Sequence, residues 1–563
     1  MSTDTKTKLL ELLKKHREEK ALTAKSSIAQ VCEDVAQVDL PSPIPDPKSS
    51  GLQIYDKYGN LITLNSAQSE FVSIASSGKS SVLIGAAGTG KTTCQKAVVQ
   101  GLIQSGRAGI LVAEGHKYLQ SNTPGIVICA YTRRAVSNIR KNMPKDLQNN
   151  CITIHKLLEY QPDTEEIIDP VSGETRFKMV FRPNRNENNP LPSSIHTIIF
   201  EEASMLGTDL YNEVVAACPH APQEIFLGDI QQLPPVFGKA VLGFKLLELP
   251  VVELTEVYRQ ALESPIISLA HRVLSGKEMK VDEFASWKKE NQLTIHPWKK
   301  KVHWEEALAT AGLFFTKAIE NKIYDPEEDM ILIPFNKSFG TDELNKIIAN
   351  FLARQRGAET FEIIAGFNKH YLSVGDRVLY DKEDAIVIAI EDNLGYTGKP
   401  PQPSSIHLDY WGCNQKPSAN QTDEHHVISE DKVDFLLAAV ASADSEDRVR
   451  KCSHTIHLKM LDSEVTIKID TASAVNNLML SYVLTVHKSQ GSEWRKVFVV
   501  FHNSHATMLQ RELLYTAFTR AREELYIICE PDSLAKGISS QRIIGNTLAE
   551  KAEYFKGKLE KLA

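Results

Sequence analysis

At 563 residues the chain is too long for a single hydrophobic core, and that length corresponds to roughly three or four domains. Its composition, 42% hydrophobic, 24% charged and 7% aromatic, is that of an ordinary globular protein with no apolar run long enough to cross a bilayer, and "MSTDTKTKLLELLKKHREEK" lacks the apolar segment of a signal peptide. A cytoplasmic setting without a membrane partner is therefore expected, while the net charge of −7 leaves room for nucleic acid in a local basic groove.

Residues 4–38 carry two helical patterns, around Leu9, Leu10, Leu12 and Leu13 and around Ile28, Val31, Val35 and Val38. The prolines of "LPSPIPDPKSSG" then read as a linker. "LQIYDKYGNLITL" predicts a hairpin turning near Gly59, and "NSAQSEFV" a helix starting at Ser66. Up to about residue 250, short apolar runs ("SSVLIG", "GIVICA", "HTIIFE", "EIFLGD") alternate with helical segments, the pattern of a parallel sheet with crossover helices. Residues 161–195 interrupt it with two predicted strands and a polar loop.

A second alternating region is placed from residue 251, with "DMILIPFN" as a strand and "TDELNKIIANFLARQ" as its helix. Residues 361–475 change to β-rich patches separated by polar loops, and the alternation resumes through "LSYVLTVHKSQG" and "KVFVVF". The tail "NTLAEKAEYFKGKLEKLA" reads as an amphipathic surface helix. The eight cysteines form no Cys-x-x-Cys pair, which argues against a zinc site or a disulfide framework and predicts small core residues.

"SVLIGAAGTGKTT" holds G-x-x-x-x-G-K-T between a strand and a helix, as a phosphate-binding loop requires. Its residues Gly85, Ala86, Ala87, Gly88, Thr89, Gly90, Lys91, Thr92 and Thr93 are the candidate nucleotide cradle. Backbone N–H groups wrap the phosphates, Lys91 reaches the terminal ones, and the Thr92 hydroxyl serves Mg²⁺. "TIIFEEASML" ends a buried strand in two carboxylates, a costly placement unless a cation or a reacting water is near. Beside such a loop, Glu201 is assigned to Mg²⁺ and Glu202 to the attacking water.

"FLGDIQQLPPV" adds a third strand exit, and with it the motifs resemble those of superfamily 1 helicases of the RecD/Dda-like group, over about residues 65–525. The resemblance implies two RecA-like α/β domains with parallel sheets. "LNSAQSEF" resembles the Q motif, with Gln68 expected on adenine. "AYTRRAVSNI" and "TIHKLL" resemble motifs Ia and Ib, implying Thr132, Arg133, Thr153 and His155 on single-stranded DNA. "FEEAS" matches the Asp-Glu-Ala-Ser box except at Glu201, and "GDIQQLPP" implies Gln232 as γ-phosphate sensor.

"LTEVYRQ" resembles motif IV, with Tyr258 on the base and Arg259 on the γ-phosphate. "LTVHKSQGSEW" resembles motif V, with Thr485 and His487 near DNA and Gly491 and Glu493 near the nucleotide. "LLYTAFTRARE" resembles motif VI, with Arg520 as the arginine finger. Read alone, His155, His487 and Tyr258 also fit as packed core residues. "VGDRV" resembles the opening of an SH3-like insertion.

The expected layout is an N-terminal extension and linker (1–50), a first RecA-like domain (51–250) carrying a β-hairpin insertion (161–195), a second (251–360 and 476–563), and an SH3-like β-barrel insertion (361–475). The hairpin falls where the group carries its strand-separating pin, so Phe177 or Phe181 is expected at a duplex junction; a hairpin that only packs on its own domain is the competing reading. The implied activity is ATP- and Mg²⁺-dependent unwinding of DNA, moving 5′ to 3′ on a single strand, in a bacterial or phage-infected cell. Rivals are an RNA helicase of the same fold and an ATP-switched clamp. The extension has no counterpart in the motif core and is a candidate contact for replication or recombination proteins.

Overall fold

Ser81–Gly85 (β1) is buried along its whole length, which requires a strand covered on both faces. Val82 and Ile84 enter one core and Leu83 the other, following the two-residue period of a strand. β1 lies within a six-stranded, wholly parallel sheet with Gly125–Ala130 (β2), Cys151–Thr153 (β3), Ile195–Phe200 (β6), Gln223–Gly228 (β7) and Val251–Leu254 (β8), in the order β8-β1-β7-β6-β2-β3. Ser66–Ser76 (α1), Lys91–Gln104 (α2), Arg133–Lys141 (α3), Ile154–Leu157 (α4), Thr208–Ala217 (α5) and Val241–Glu248 (α6) accompany it. Between β3 and β6, Tyr160–Ile168 (β4) pairs antiparallel with Thr175–Pro183 (β5).

The structure is a computed structural model. It describes residues 54–55, 61–106, 113–114, 117–118, 125–168, 175–235, 239–258, 263–277, 292–298, 302–366, 368–380, 383–393, 451–461 and 465–560. The N-terminal helical patterns, the linker, Cys32, Cys413 and Arg259 lie outside these residues. The start at Ser66 agrees with expectation. Asn65 caps α1, its side chain accepting from Gln68 N while the Gln68 side chain accepts from Asn65 N. Among the described residues no helix is long and apolar enough to cross a membrane.

The second parallel sheet has five strands, Leu293–Pro297 (β9), Met330–Ile333 (β10), Val483–Thr485 (β18), Trp494–Phe501 (β19) and Ala521–Cys529 (β20), in the order β9-β20-β19-β10-β18. Along β19, Val497, Val499 and Phe501 enter one core while Phe498 and Val500 enter the other. Helices Pro265–Leu274 (α7), Trp304–Glu320 (α8), Thr341–Arg356 (α9), Arg511–Phe518 (α11), Pro531–Ser539 (α12) and Leu548–Glu560 (α13) belong to this half of the chain.

Between β10 and β18, Thr360–Ala365 (β11) pairs with Asn368–Ser373 (β12). A five-stranded antiparallel sheet follows from Arg377–Tyr380 (β13), Glu383–Asp392 (β14), Lys451–Met460 (β15), Thr466–Thr471 (β16) and Leu478–Leu480 (β17), in the order β16-β15-β14-β13-β17, with the short helix Ala472–Asn476 (α10) joining the last two and its own apolar core. Among the described cysteines, Cys94, Cys129, Cys151, Cys218, Cys452 and Cys529 are buried.

One expectation is corrected. Val251–Leu254, placed at the opening of the second region, pairs with β1 and so completes the first sheet; a four-residue strand does not reveal its partner. The tail helix α13 is amphipathic, as expected: Lys551 and Phe555 are buried, Phe555 in a core of the first sheet, while Glu553, Lys556 and Lys558 are exposed.

His505 is fully buried, its Nε2 on the Phe339 carbonyl at 2.7 Å and its Nδ1 accepting from His502 N at 3.2 Å. Burial lowers its pKa to about 4. The unfolded chain, with a histidine pKa of about 6.5, takes up this proton first, so stability falls as pH drops from about 6.5 to about 4. Thermal unfolding of a His505→Gln variant across that window is expected to show a shallower acid decline than the parent; equal slopes would contradict this role.

Candidate functional site

The loops that follow the strands of a parallel sheet at their carboxyl ends gather on one edge, where ligands bind. Here β1 leads into the phosphate-loop sequence, β2 into Thr132, β3 into Thr153, β6 into Glu201 and Glu202, β7 into Asp229, and β18 of the other sheet ends at Thr485. The fold therefore collects nearly every motif on the facing edges of two sheets.

In the loop, Gly88 and Gly90 have φ of 81° and 89°, a region closed to most side chains. A Cβ at Gly90 would lie 2.6 Å from Gln68 Nε2 and 2.7 Å from Tyr258 Cε2, so those two side chains cover the loop directly. Tyr258 Oη donates to Gln68 Oε1 at 2.7 Å, Tyr258 N donates to the Gly88 carbonyl at 3.1 Å, and Gln68 Nε2 reaches the Thr89 carbonyl at 3.4 Å. Tyr258 is 39% exposed, which leaves room for a base against it. Lys91 Nζ is folded onto the carbonyls of Gly85 and Ala86, at 2.5 and 3.2 Å, while Thr92 is exposed at the start of α2.

The carboxylates behave as a strained pair. Glu202 adopts a left-handed backbone (φ 51°, ψ 41°), rare for a side chain of its size, and its Oε2 is buried without a hydrogen-bond partner. Burial and the neighbouring Glu202 charge push the Glu201 carboxyl up to about 8, against the opposing effect of Lys91. An orphaned carboxylate oxygen beside a crowded one fits a divalent cation, and with the Thr92 hydroxyl these donors are of the oxygen type Mg²⁺ takes.

Where the two sheets meet, one phenol bridges them. Tyr515 of α11, fully buried, donates to Asp229 Oδ2 at 2.6 Å and accepts the Ala87 N–H at 2.7 Å. Leu233 N donates to Thr516 Oγ1 at 3.0 Å and its carbonyl accepts from Gln490 Nε2 at 2.9 Å, while the Leu233 side chain belongs to a core of the second sheet. Gln232 is buried with its Oε1 unpartnered. Tyr515 and Asp229 stand inside the quoted motifs, yet no pattern of spacing singled them out.

Arg520 is buried, with Nε on the Thr516 carbonyl, Nη1 on the Ser492 carbonyl and Nη2 on Thr519 Oγ1. Gly491, expected at the nucleotide, lies against α3: a Cβ there would stand 2.8 Å from Ala135 Cβ and 3.1 Å from Thr132 Oγ1, and its carbonyl accepts from Asn138 Nδ2 at 2.8 Å. Glu493 is exposed just after it.

Apart from Phe177 and Phe181, the residues expected on DNA lie at or beside the ends of strands and helices. Thr132 caps α3, Thr153 caps α4, and Thr485 Oγ1 accepts from Lys488 N at 3.2 Å. His155 contacts the rings of Tyr131 and Tyr160 edge-on. Burial, then the Arg542 charge, lowers the His487 pKa to about 4, so its imidazole is neutral at pH 7. Arg133 lies 3.8 Å from Glu383 and Arg134 Nη2 2.5 Å from Asp384 Oδ1, linking α3 to the start of β14, a contact no sequence pattern announced. Phe177 and Phe181 lie on β5, with side chains outside the described residues.

Residues 68–238 match an AAA domain model and residues 480–528 a UvrD-like helicase C-terminal domain model. These two segments carry the phosphate loop and every strand of the first sheet except β8, and the β18-to-β20 part of the second. Both matched segments thus resemble the P-loop motor domains of superfamily 1 helicases.

The chain is 27% identical over 472 residues to the ATP-dependent RecD2 DNA helicase of Deinococcus radiodurans, covering 83% of this chain and 49% of that protein. It is 21% identical over 472 residues to the RecBCD enzyme subunit RecD of Buchnera aphidicola subsp. Schizaphis graminum, covering 81% and 71%. The chain spans about half the length of RecD2. A solved Pif1 helicase covers 88% of the chain, and 98% of that Pif1 chain is covered, at 16% identity and a TM-score of 0.45.

Replacing Tyr515 by Phe removes the hydroxyl that both Asp229 and Ala87 use. The buried carboxylate then loses a partner, and a cost of about 1–3 kcal/mol is expected in denaturant unfolding. An unchanged midpoint would mean that water replaces the phenol.

Proposed function

We propose that the protein is an ATP-dependent DNA helicase that translocates 5′ to 3′ on single-stranded DNA and opens duplex ahead of it. The observation that carries the reading is the Tyr515 bridge: one phenol joins the phosphate loop, the Asp229 turn and the helix that leads to Arg520. Occupancy of the loop is thereby felt by both sheets.

In this reading β1 to β8 form the first RecA-like domain, β9, β10 and β18 to β20 the second, the antiparallel sheet an SH3-like insertion, and the β4–β5 pair a pin. The loop N–H groups and the α2 N-terminus hold the phosphates, and Lys91 exchanges the Gly85 and Ala86 carbonyls for the terminal phosphate. Thr92 and Glu201 would hold Mg²⁺, which when bound withdraws charge from the phosphate oxygens. Glu202 orients the attacking water and accepts its proton, its strained backbone aiming the carboxylate.

Gln232 reads the γ-phosphate, and Arg259 with Arg520 supplies positive charge as it leaves; Arg520 gives up carbonyl partners to do so. Gln68 and Tyr258 hold the base. Thr132, Arg133, Thr153, His155, Thr485 and His487 line the path of the strand, since the turns that carry them share the sheet edges. Hydrolysis loosens the contact between halves, and Gly491 against α3 is where that motion reaches the strand.

Strand displacement with Mg-ATP on duplexes bearing a 5′ or a 3′ single-stranded tail tests the reading. Activity from the 5′ tail alone is expected. Activity from the 3′ tail alone would overturn the polarity, and DNA-stimulated ATPase without displacement would favour a clamp; stimulation by poly(U) over poly(dT) would favour an RNA substrate. Glu202→Gln is expected to lower kcat for ATP by about 10²–10⁴ with KM little changed.

A further inference from the structure

Helix α13 follows the last strand of the second sheet, yet it packs on the first. Phe555 meets α6 at Gly243, where any Cβ would collide with its ring, and makes an edge contact with Phe244. Ile543 and Phe555 belong to a core of the first sheet. The segment leading to α13 is held on α11, because buried Glu512 accepts the N–H groups of Arg542 and Ile543 at 3.1 Å each. The C-terminal segment thus spans from the helix that carries Tyr515 to the sheet that carries the phosphate loop.

Inside this strap lies Lys551, 1% exposed. Its Nζ donates to the Ile230 carbonyl at 3.1 Å and to Gln231 Oε1 at 2.6 Å. Both acceptors belong to the turn that continues into Gln232, a turn tightened by Gln232 N on the Asp229 carbonyl and Gln231 N on Asp229 Oδ1. Gln232 and Phe555 also line one small hollow with Ser204, Ile230, Leu242 and Gly243. A strap needs only apolar contacts; a fully buried ammonium is a costly way to hold a helix unless its direction and charge serve something. Burial lowers its pKa, and the carboxylates of Glu512 and Asp229 oppose that effect.

We propose that Lys551 is a positioning residue for the ATPase: by holding Ile230 and Gln231 it fixes the turn that aims Gln232, making the C-terminal helix part of the coupling between nucleotide and nucleic acid. This rests on the helicase reading above. Loss of the ammonium frees the turn, so the γ-phosphate sensor is no longer preset while the base and phosphate contacts remain intact.

The test is steady-state ATPase of the full chain with and without oligo(dT), for the parent, Lys551→Met, Lys551→Arg and, as a control on the exposed side of the same helix, Lys556→Met. The readout is the ratio of stimulated to unstimulated kcat, which a smaller active fraction leaves unchanged. Lys551→Met is expected to lower that ratio by about fivefold or more with KM for ATP within about twofold, Lys551→Arg to recover part of it, and Lys556→Met to match the parent. If Lys551→Met does not fold, Gln231→Ala removes the shorter of the two acceptor contacts and is read the same way. A parental ratio retained in the folded variant overturns the positioning role, whereas a parent that oligo(dT) does not stimulate overturns the helicase reading itself.

Discussion

A buried phenol hydroxyl with one donor and one acceptor to satisfy is the constraint around which the two sheets are arranged. Tyr515 is fully buried and its pKa is driven up by burial and the adjacent Asp229, so it stays protonated and its direction of donation is fixed. Asp229 takes that proton in a hydrogen bond and the Ala87 N–H fills the remaining lone pair. An unpaired carboxylate at this depth costs more than an ordinary surface contact returns, so the two halves meet in one register. The neighbouring Leu233 bonds and the Leu233 side chain follow from that register.

The contact is reciprocal in an unusual way. Leu233 leaves the first sheet to fill a core of the second, while Ile543 and Phe555 leave the second half to fill a core of the first. Each half therefore completes the other's interior. The antiparallel sheet reaches the first half through Arg133 and Arg134 to Glu383 and Asp384, while its Arg377 holds the Pro326 and Asp329 carbonyls of the second; of the two first-half pairs that of Arg134 is the better shielded, with side-chain exposures of 10% and 18%. Arg134 also lies over the Trp494 ring at 5.5 Å, so the same guanidinium touches the first residue of β19.

Much of the architecture was legible because its signals are local. The glycine spacing at 85–90, the apolar runs of β1, β2, β6 and β7, and the helix start at Ser66 are each decided within a few residues. The sheet edge of Val251–Leu254 was not legible, since a partner 169 residues away in sequence leaves no mark on four residues. Tyr515 and Lys551 escaped for a related reason. Their meaning lies in what stands opposite them, although Lys551 gave one faint sign: a lysine between Leu548 and Phe555 falls on the apolar stripe of its own helix. The place of Gly491 beside Thr132 and Ala135 was likewise not legible, because those neighbours lie far away in sequence.

The mutual filling of cores bears on how such a chain can be inherited. A half transplanted alone would carry an open socket where Leu233 or Phe555 had been, together with an unshielded apolar plug of its own. Cutting or shuffling the gene between the two sheets thus produces two sticky fragments in place of two usable modules. Substitutions at the sockets are then constrained to arise in step with those at the plugs, so the lineage of one sheet should track that of the other.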